Sequence, residues 1–234
     1  MDWLQTTLVI YGRAVSKGAR LAVRNWPMFA ALFVYGAILN ATVALAVLLG
    51  PIGGIVIYLV SALCFGSFLA SVEAIVRSGK ATLNDFRRSF GMYFSDVIGV
   101  MFAQWIFVMI LNMLAAVPNG AAIAAFATLA AWVFFNAVPE LIYLGHYSTM
   151  EMLGESYSFI AQNWIEWFPI NVALGFAMIA LWDLLPDGGV LWTALRMAVM
   201  GVFVYFTMVV RGLLFVELAG SSRRGRIFRH RASG

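Results

Sequence analysis

Six long apolar runs, broken by three short turns rich in Gly and Pro, constrain this 234-residue chain more than any other feature. The runs lie at about 28–49, 52–76, 95–117, 120–143, 164–185 and 190–218. Each approaches or exceeds the ~20 residues that a helix needs to cross the hydrocarbon of a bilayer. Hydrophobic residues make up 63% of the chain and charged residues 11%, where a soluble domain carries roughly 45–50% and 25%. A soluble fold of this length cannot hide so much apolar surface. In lipid only helices and closed barrels satisfy the backbone, and runs of this length are helices. The expected fold class is an all-α, polytopic transmembrane bundle.

Gly50-Pro51 with Gly53-Gly54, then Pro118-Asn119-Gly120, then Pro186-Asp187-Gly188-Gly189 separate the runs in pairs. Such polar, breaker-rich steps reverse a chain, so six spans become three hairpins. The segments on the side of the N-terminus carry Arg13, Lys17, Arg20, Arg24, Arg77, Lys80, Arg87, Arg88, Arg223, Arg224, Arg226, Arg229 and Arg231. The three turns on the other side carry no Lys or Arg. Thirteen against none places both termini in the cytoplasm, by the positive-inside rule. Residues 1–26 are charged throughout and do not read as a signal peptide, so the first apolar run is expected to be a retained span. The location implied is an integral membrane protein of a bacterial inner membrane.

Each hairpin is preceded by a segment with amphipathic spacing. In residues 3–26, taken at ~100° per residue, Arg13, Lys17, Arg20 and Arg24 share one side, with Leu4, Leu8, Tyr11, Val15, Ala22 and Trp26 opposite. That pattern suits a helix lying on anionic lipid. Residues 80–94 place Leu83, Phe86, Phe90 and Phe94 on one stripe, and residues 149–164 place Leu153, Tyr157, Ile160 and Trp164 on another. Asn25-Trp26 and Asn163-Trp164 are 138 residues apart, and their midpoint falls at Tyr93-Phe94. The chain therefore reads as a single transmembrane domain, residues 1–222, of three pseudo-repeats at about 3–76, 80–143 and 149–218. Residues 223–234 form a basic tail, whose Arg223, Arg224, Arg226 and Arg229 fit lipid headgroups.

The hairpin layout and the Asn25-Trp26 and Asn163-Trp164 steps resemble six-span bacterial membrane families, notably the membrane domain that accompanies some glycerophosphodiester phosphodiesterases. The resemblance covers residues 10–218 and implies architecture. With no soluble phosphodiesterase domain here, it implies no catalytic activity.

Function is constrained mostly by what is missing from the sequence. One cysteine, Cys64, excludes an internal disulfide scaffold, and His146 and His230 lie far apart. No phosphate loop, nucleophile elbow or HExxH pair occurs. No catalytic residues, metal site or cofactor are therefore expected, and no nucleic acid, since the basic residues flank spans. Polar residues inside spans are the best pointers that remain, because they are costly there. The candidates for a polar cleft are Asn112, Asn136, Glu140, Asn171 and Arg196, with Gln104 also near mid-span. Pro139 should break the fourth span near Phe135 and Asn136. Asn136 and Glu140, four apart, would then share one helix side. A plainer reading makes Glu140 an interface carboxylate beside Arg77 or Arg88. Arg196 and Arg211, fifteen residues and about 22 Å apart along one helix, read as anchors at its two ends.

Two functions follow from these features. One is a non-catalytic membrane scaffold or accessory subunit organising lipid or a membrane complex. The alternative is a transporter or permease component with a polar cleft near the broken fourth span. The implied partners are anionic inner-leaflet lipids and a membrane protein complex or a homo-oligomer.

Overall fold

A computed structural model describes residues 2–145, 147–186, 188–221, 225, 226 and 228. Among these the chain is all-helical, with no strand. The helices are α1 (Asp2–Arg24), α2 (Pro27–Leu48), α3 (Gly53–Ser78), α4 (Leu83–Ser89), α5 (Phe94–Ala115), α6 (Gly120–Phe134), α7 (Val138–Leu144), α8 (Thr149–Leu184) and α9 (Gly189–Ala219). Six stretches are long and apolar enough to cross a membrane: Pro27–Leu48, Gly50–Ser78, Phe94–Ala115, Gly120–Leu144, Thr149–Leu184 and Gly189–Ala219. These coincide with the six apolar runs, so the protein is an integral membrane protein.

Local chemistry explains where several helices begin. Thr82 starts α4 with a reciprocal cap: its N–H and Oγ1 donate to Asp85 Oδ2 at 2.8 and 2.7 Å, and Asp85 N–H donates back to Thr82 Oγ1 at 3.2 Å. Ser148 opens α8 the same way, its N–H and Oγ donating to Glu151 Oε2 at 3.0 and 2.8 Å. Both are capping boxes, with an acid three residues after the cap. Between α5 and α6 the chain reverses through Asn119, whose φ of 62° is left-handed backbone that Asn tolerates.

Two expected segments differ from the sequence reading. The stretch 80–94 holds only the seven-residue α4, with turns at 90–93 before α5 begins. The third segment, 149–164, is not separate from the span after it, because α8 runs unbroken for 36 residues. Pro169 lies inside that helix and leaves it continuous.

The chain divides into two compact units: Met1–Ala37 with Ser71–Asp85 and Asn163–Gly234, and Ile38–Ala70 with Phe86–Gln162. In the second unit α5 packs on α6, the two serine hydroxyls of Ser67 and Ser89 meet at 2.5 Å, and Ser156 Oγ donates to the Phe134 carbonyl at 2.8 Å. Ala62, Leu69, Val97, Ala137 and Tyr143 form its closed core. In the first unit α1 packs along α9, over a core that includes Trp167, Tyr205, Val209, Val210 and Leu214.

The stripe of α1 that meets the bundle is neither of the two faces read from hydropathy. Ile10, Ala14, Gly18, Leu21 and Asn25 are buried. At ~100° per residue this stripe lies about 90° from both the basic and the apolar faces. Leu4, Leu8, Val15 and Trp26 stay exposed, as do Arg13, Lys17, Arg20 and Arg24, while of the expected apolar face Ala22 is buried and Tyr11 half-buried. At Gly18 the two helices approach closely: a Cβ there would stand 2.6 Å from Val210 Cγ2. Val210 is buried and β-branched, so its methyl has no other rotamer to adopt.

Two glycine replacements on α1 should therefore behave oppositely. Gly12, with nothing within 4 Å of a built Cβ, should gain ~0.5–1 kcal/mol as Gly12→Ala, from helix propensity alone. Gly18→Ala should lose about 1–2 kcal/mol net, since overpacking outweighs the same gain. Melting in detergent solution checks both signs; a stabilising Gly18→Ala would contradict the close approach.

Candidate functional site

The polar residues of the first unit converge where α1, α8 and the chain beyond α9 meet. Asn163, Glu166, Trp167 and Asn171 recur at spacings of three and four, so they share one side of α8. Arg226, two turns beyond α9, folds back onto that side. Its Nη1 donates to the carbonyls of Leu218 (3.2 Å) and Ser221, and its Nη2 to Asn163 Oδ1 at 3.3 Å and Glu166 Oε1 at 3.4 Å. The Arg226 and Glu166 side chains are 3% and 4% exposed. Tyr11 of α1 donates its hydroxyl to the Glu166 carbonyl at 2.7 Å. Burial, with the Glu166 charge adding to it, pushes the Tyr11 hydroxyl up to about 12, so it stays a neutral donor.

This corrects the sequence reading of Arg226 as a lipid-surface arginine. A carboxylate and an amide already inside the protein give the guanidinium bidentate-capable partners that lipid headgroups would otherwise supply. Arg223, Arg224 and Arg229 lie outside the described residues.

Asn25 does for the first span pair what Asn163 does for the last. Its Nδ2 donates to the Leu21 and Gly79 carbonyls at 2.8 and 3.2 Å, and its Oδ1 accepts from Ala81 N–H at 2.8 Å. In both places an asparagine at the foot of a span holds the chain that has just left a later helix. That role was not legible from the Asn-Trp spacing alone.

Deeper along the same side of α8, Asn171 receives a bond from Arg211 Nη1 at 3.0 Å and donates its own amide to the Trp167 carbonyl at 2.6 Å. The Arg211 guanidinium also lies over the Trp167 ring, 5.0 Å from its centroid, a cation–π arrangement. Arg211 was expected to be a helix-end anchor. It lies eight residues, about 12 Å, before the end of α9, and it is the arginine that Asn171 meets. Arg196 instead folds onto the turn before α9, donating to the Leu185 carbonyl at 2.5 Å and lying 4.7 Å over the Trp182 ring.

In the second unit, Pro139 breaks the fourth span at 135–137, where the sequence placed the break. Proline supplies no N–H to the Phe135 carbonyl and its ring crowds that group, so α6 stops at Phe134 and α7 restarts with Pro139 in its first turn. Asn136 and Glu140 therefore do not lie on one continuous helix side: Asn136 sits in the break and Glu140 in the first turn of α7. Glu140 is fully buried rather than exposed at an interface. Asn112 is exposed on α5, as is Gln104. Among the described residues no group of three or more His, Cys, Asp or Glu is placed to hold a metal.

One further recurrence escaped the sequence reading. Val72-Glu73, Pro139-Glu140 and Val216-Glu217 each place a glutamate in the final turns of a span, two to five residues before α3, α7 and α9 end. At Glu73 and Glu217 the carboxylate lies near a helix C-terminus and opposes the helix dipole, whereas Glu140 lies in the first turn of α7, where the dipole favours it. Glu73 pairs with Arg77 at 2.8 Å.

No known protein family, curated protein or solved structure matches this chain. The likeness to the membrane domain of glycerophosphodiester phosphodiesterases rests on the Asn-Trp steps and span layout alone.

The Arg226–Glu166 contact sets a clear expectation. Arg226→Ala leaves a carboxylate buried without its cation and should cost roughly 3–5 kcal/mol. Arg226→Met combined with Glu166→Leu should recover most of that loss, because an apolar pair of similar volume needs no desolvation of charge. Thermal melting of the three proteins in one detergent tests this; an Arg226→Ala protein as stable as wild type would place the arginine outside the core.

Proposed function

We propose that this protein is a non-catalytic scaffold or accessory subunit of a bacterial cytoplasmic membrane, organising anionic lipid or a membrane protein complex. Its six spans form three hairpins with both termini in the cytoplasm, each hairpin preceded by an amphipathic segment, in three pseudo-repeats. The thirteen-to-none distribution of Lys and Arg supports that orientation. The paired roles of Asn25 and Asn163 and the three span-end glutamates support the repeat.

The observation that carries the reading is the three-faced α1. One face is fixed to α9 at Gly18, and on the other two the basic residues and Leu4, Leu8, Val15 and Trp26 stay exposed on opposite sides. A helix anchored on one flank cannot rotate to hide its apolar stripe. That stripe is available to acyl chains while Arg13, Lys17, Arg20 and Arg24 face headgroups or an acidic partner, at ~1 kcal/mol per basic residue. The tail residues Arg223, Arg224 and Arg229 add to the same charge in sequence.

A second reading, a transporter or permease component, is favoured by the break at 135–137 with buried Glu140 beside it. Broken helices with a carboxylate are how many transporters build ion sites.

Replacing Arg13, Lys17, Arg20 and Arg24 together with Gln should reduce the anionic lipid retained by the purified chain, by roughly fivefold in affinity per charge removed. Native mass spectrometry of protein drawn from mixed-lipid membranes reads this directly, and ~0.5 M salt should bring wild type towards the variant. Equal lipid retention in both proteins would count against a lipid-organising role.

Glu140→Gln separates the two readings. In a scaffold it should leave lipid retention and partner capture unchanged. In an ion-coupled transporter it should abolish flux reported by a pH dye trapped in proteoliposomes, with melting nearly unchanged. Flux in wild type that the variant loses would favour the transporter.

A further inference from the structure

Helix α5 carries two carboxamides that the rest of the fold does not use. Gln104 is ten residues from the start of this 22-residue helix, about 15 Å along it and so near the middle of the hydrocarbon. Asn112 lies two turns further on. Both side chains are exposed, and neither makes a hydrogen bond to another described residue. Around them the surface is apolar, with Trp105, Val108 and Met109 also exposed.

Lipid acyl chains offer no donor or acceptor, so a carboxamide facing them keeps three or four hydrogen-bonding positions unmet. Other in-span amides of this chain do not share that condition: Asn171 is bonded to Arg211 and to the Trp167 carbonyl. Exposed Thr128 on α6 turns its hydroxyl back to the Ala124 carbonyl at 2.8 Å. Gln104 and Asn112 have longer or flatter groups and no such local bond.

We propose that α5 is a self-association surface and that its occupant is a second copy of this chain. Gln104, Val108 and Asn112 are spaced by four, so they form one ridge of the kind that packs against another helix. A carboxamide is both donor and acceptor, which makes it its own complement. Two copies inserted with the same topology are related by a two-fold axis along the membrane normal. Their α5 helices then run parallel, and each residue level meets itself: Gln104 meets the second copy's Gln104, and Asn112 its Asn112. A two-fold interface requires this self-complementarity. A foreign partner would need a hydrogen-bonding group at each of the same two depths; a second copy has them by construction of the symmetry. The inference uses only the span and its exposed amides and does not depend on how α1 functions.

The test measures association of the full-length chain in bilayers, by single-molecule photobleaching as protein density is varied. Wild type should show a density-dependent monomer–dimer equilibrium. Gln104→Leu with Asn112→Leu should raise the dissociation constant about tenfold or more, whereas Gln104→Asn should retain most of the association. Ile110→Leu, on the far side of α5, should leave it unchanged. Both amides are exposed, so their replacement opens no cavity and the variants should fold. In a Cys64→Ala background, Gln104→Cys should form an intermolecular disulfide and Ile110→Cys should not. Wild type that stays monomeric at every density would overturn the proposal, as would a leucine double variant that dimerises like wild type.

Discussion

A bilayer interior supplies no water, so a polar group drawn into it is costly unless it finds a partner within the protein. That constraint organises the first unit of this chain. Along one side of α8 the polar side chains are bonded in sequence: Asn163 and Glu166 to Arg226, then Asn171 to Arg211, with the Trp167 ring beneath the second guanidinium. Neither arginine is solvated by extension to the surface alone. Each is held by an amide, joined in one case by a carboxylate and in the other by an aromatic face, which is the environment that a planar, delocalised cation tolerates best.

The docking of α1 follows from a different limit, the distance of closest approach between two helices. Ala14 and Gly18 carry too little side chain to register as an apolar face, yet both are buried, and at Gly18 the α1 backbone comes within contact of Val210. The half-buried Tyr11 hydroxyl, at the edge of this stripe, and the Asn25 amide within it then add bonds at two levels of α1. Because small residues make the contact, α1 keeps its larger apolar side chains and its four basic ones for other surroundings. One helix thereby serves as part of the bundle and as a surface.

How much of this was legible in the sequence depends on which force set each feature. The six spans were legible because hydrocarbon burial requires long apolar runs, which leave no ambiguity in a 22-residue segment such as 94–115. The break before Pro139 was legible because a missing N–H acts locally. The packing stripe of α1 was not, since hydropathy weighs large side chains and the stripe is built from small ones. Arg226 was misread for another reason: six charged or polar neighbours in the tail gave it the look of a headgroup binder, and only the fold brings Glu166 within 3.4 Å of it. That Arg211, read as a helix-end anchor, meets Asn171 is likewise tertiary. Fifteen residues apart on one helix, the two arginines both reach α8, Arg211 at Trp167 and Asn171 and Arg196 at Trp182 near its end.

Asn25 and Asn163 show two answers to one structural problem, holding the chain that leaves a span against the foot of an earlier helix. Asn25 answers it with neutral groups, through two backbone carbonyls and one backbone N–H, so any residue at 81 that keeps the backbone path can be held, while Gly79, at a φ of 74°, occupies left-handed backbone that favours glycine. Asn163 answers it with a guanidinium, and that choice brings consequences. A buried cation needs a buried anion, so Glu166 must accompany it; a buried ion pair is rarely more stable than apolar packing of the same volume. What it adds is selectivity. Only a cation of the right reach, at the right distance past Ala219, satisfies both Asn163 and Glu166 together. The neutral clamp therefore fixes a position along the backbone, whereas the charged one fixes the identity of a side chain. The shared geometry at the foot of the two spans thus ends in different demands on sequence: a charged side chain at residue 226, a glycine backbone at residue 79, and little demand on the side chain at residue 81.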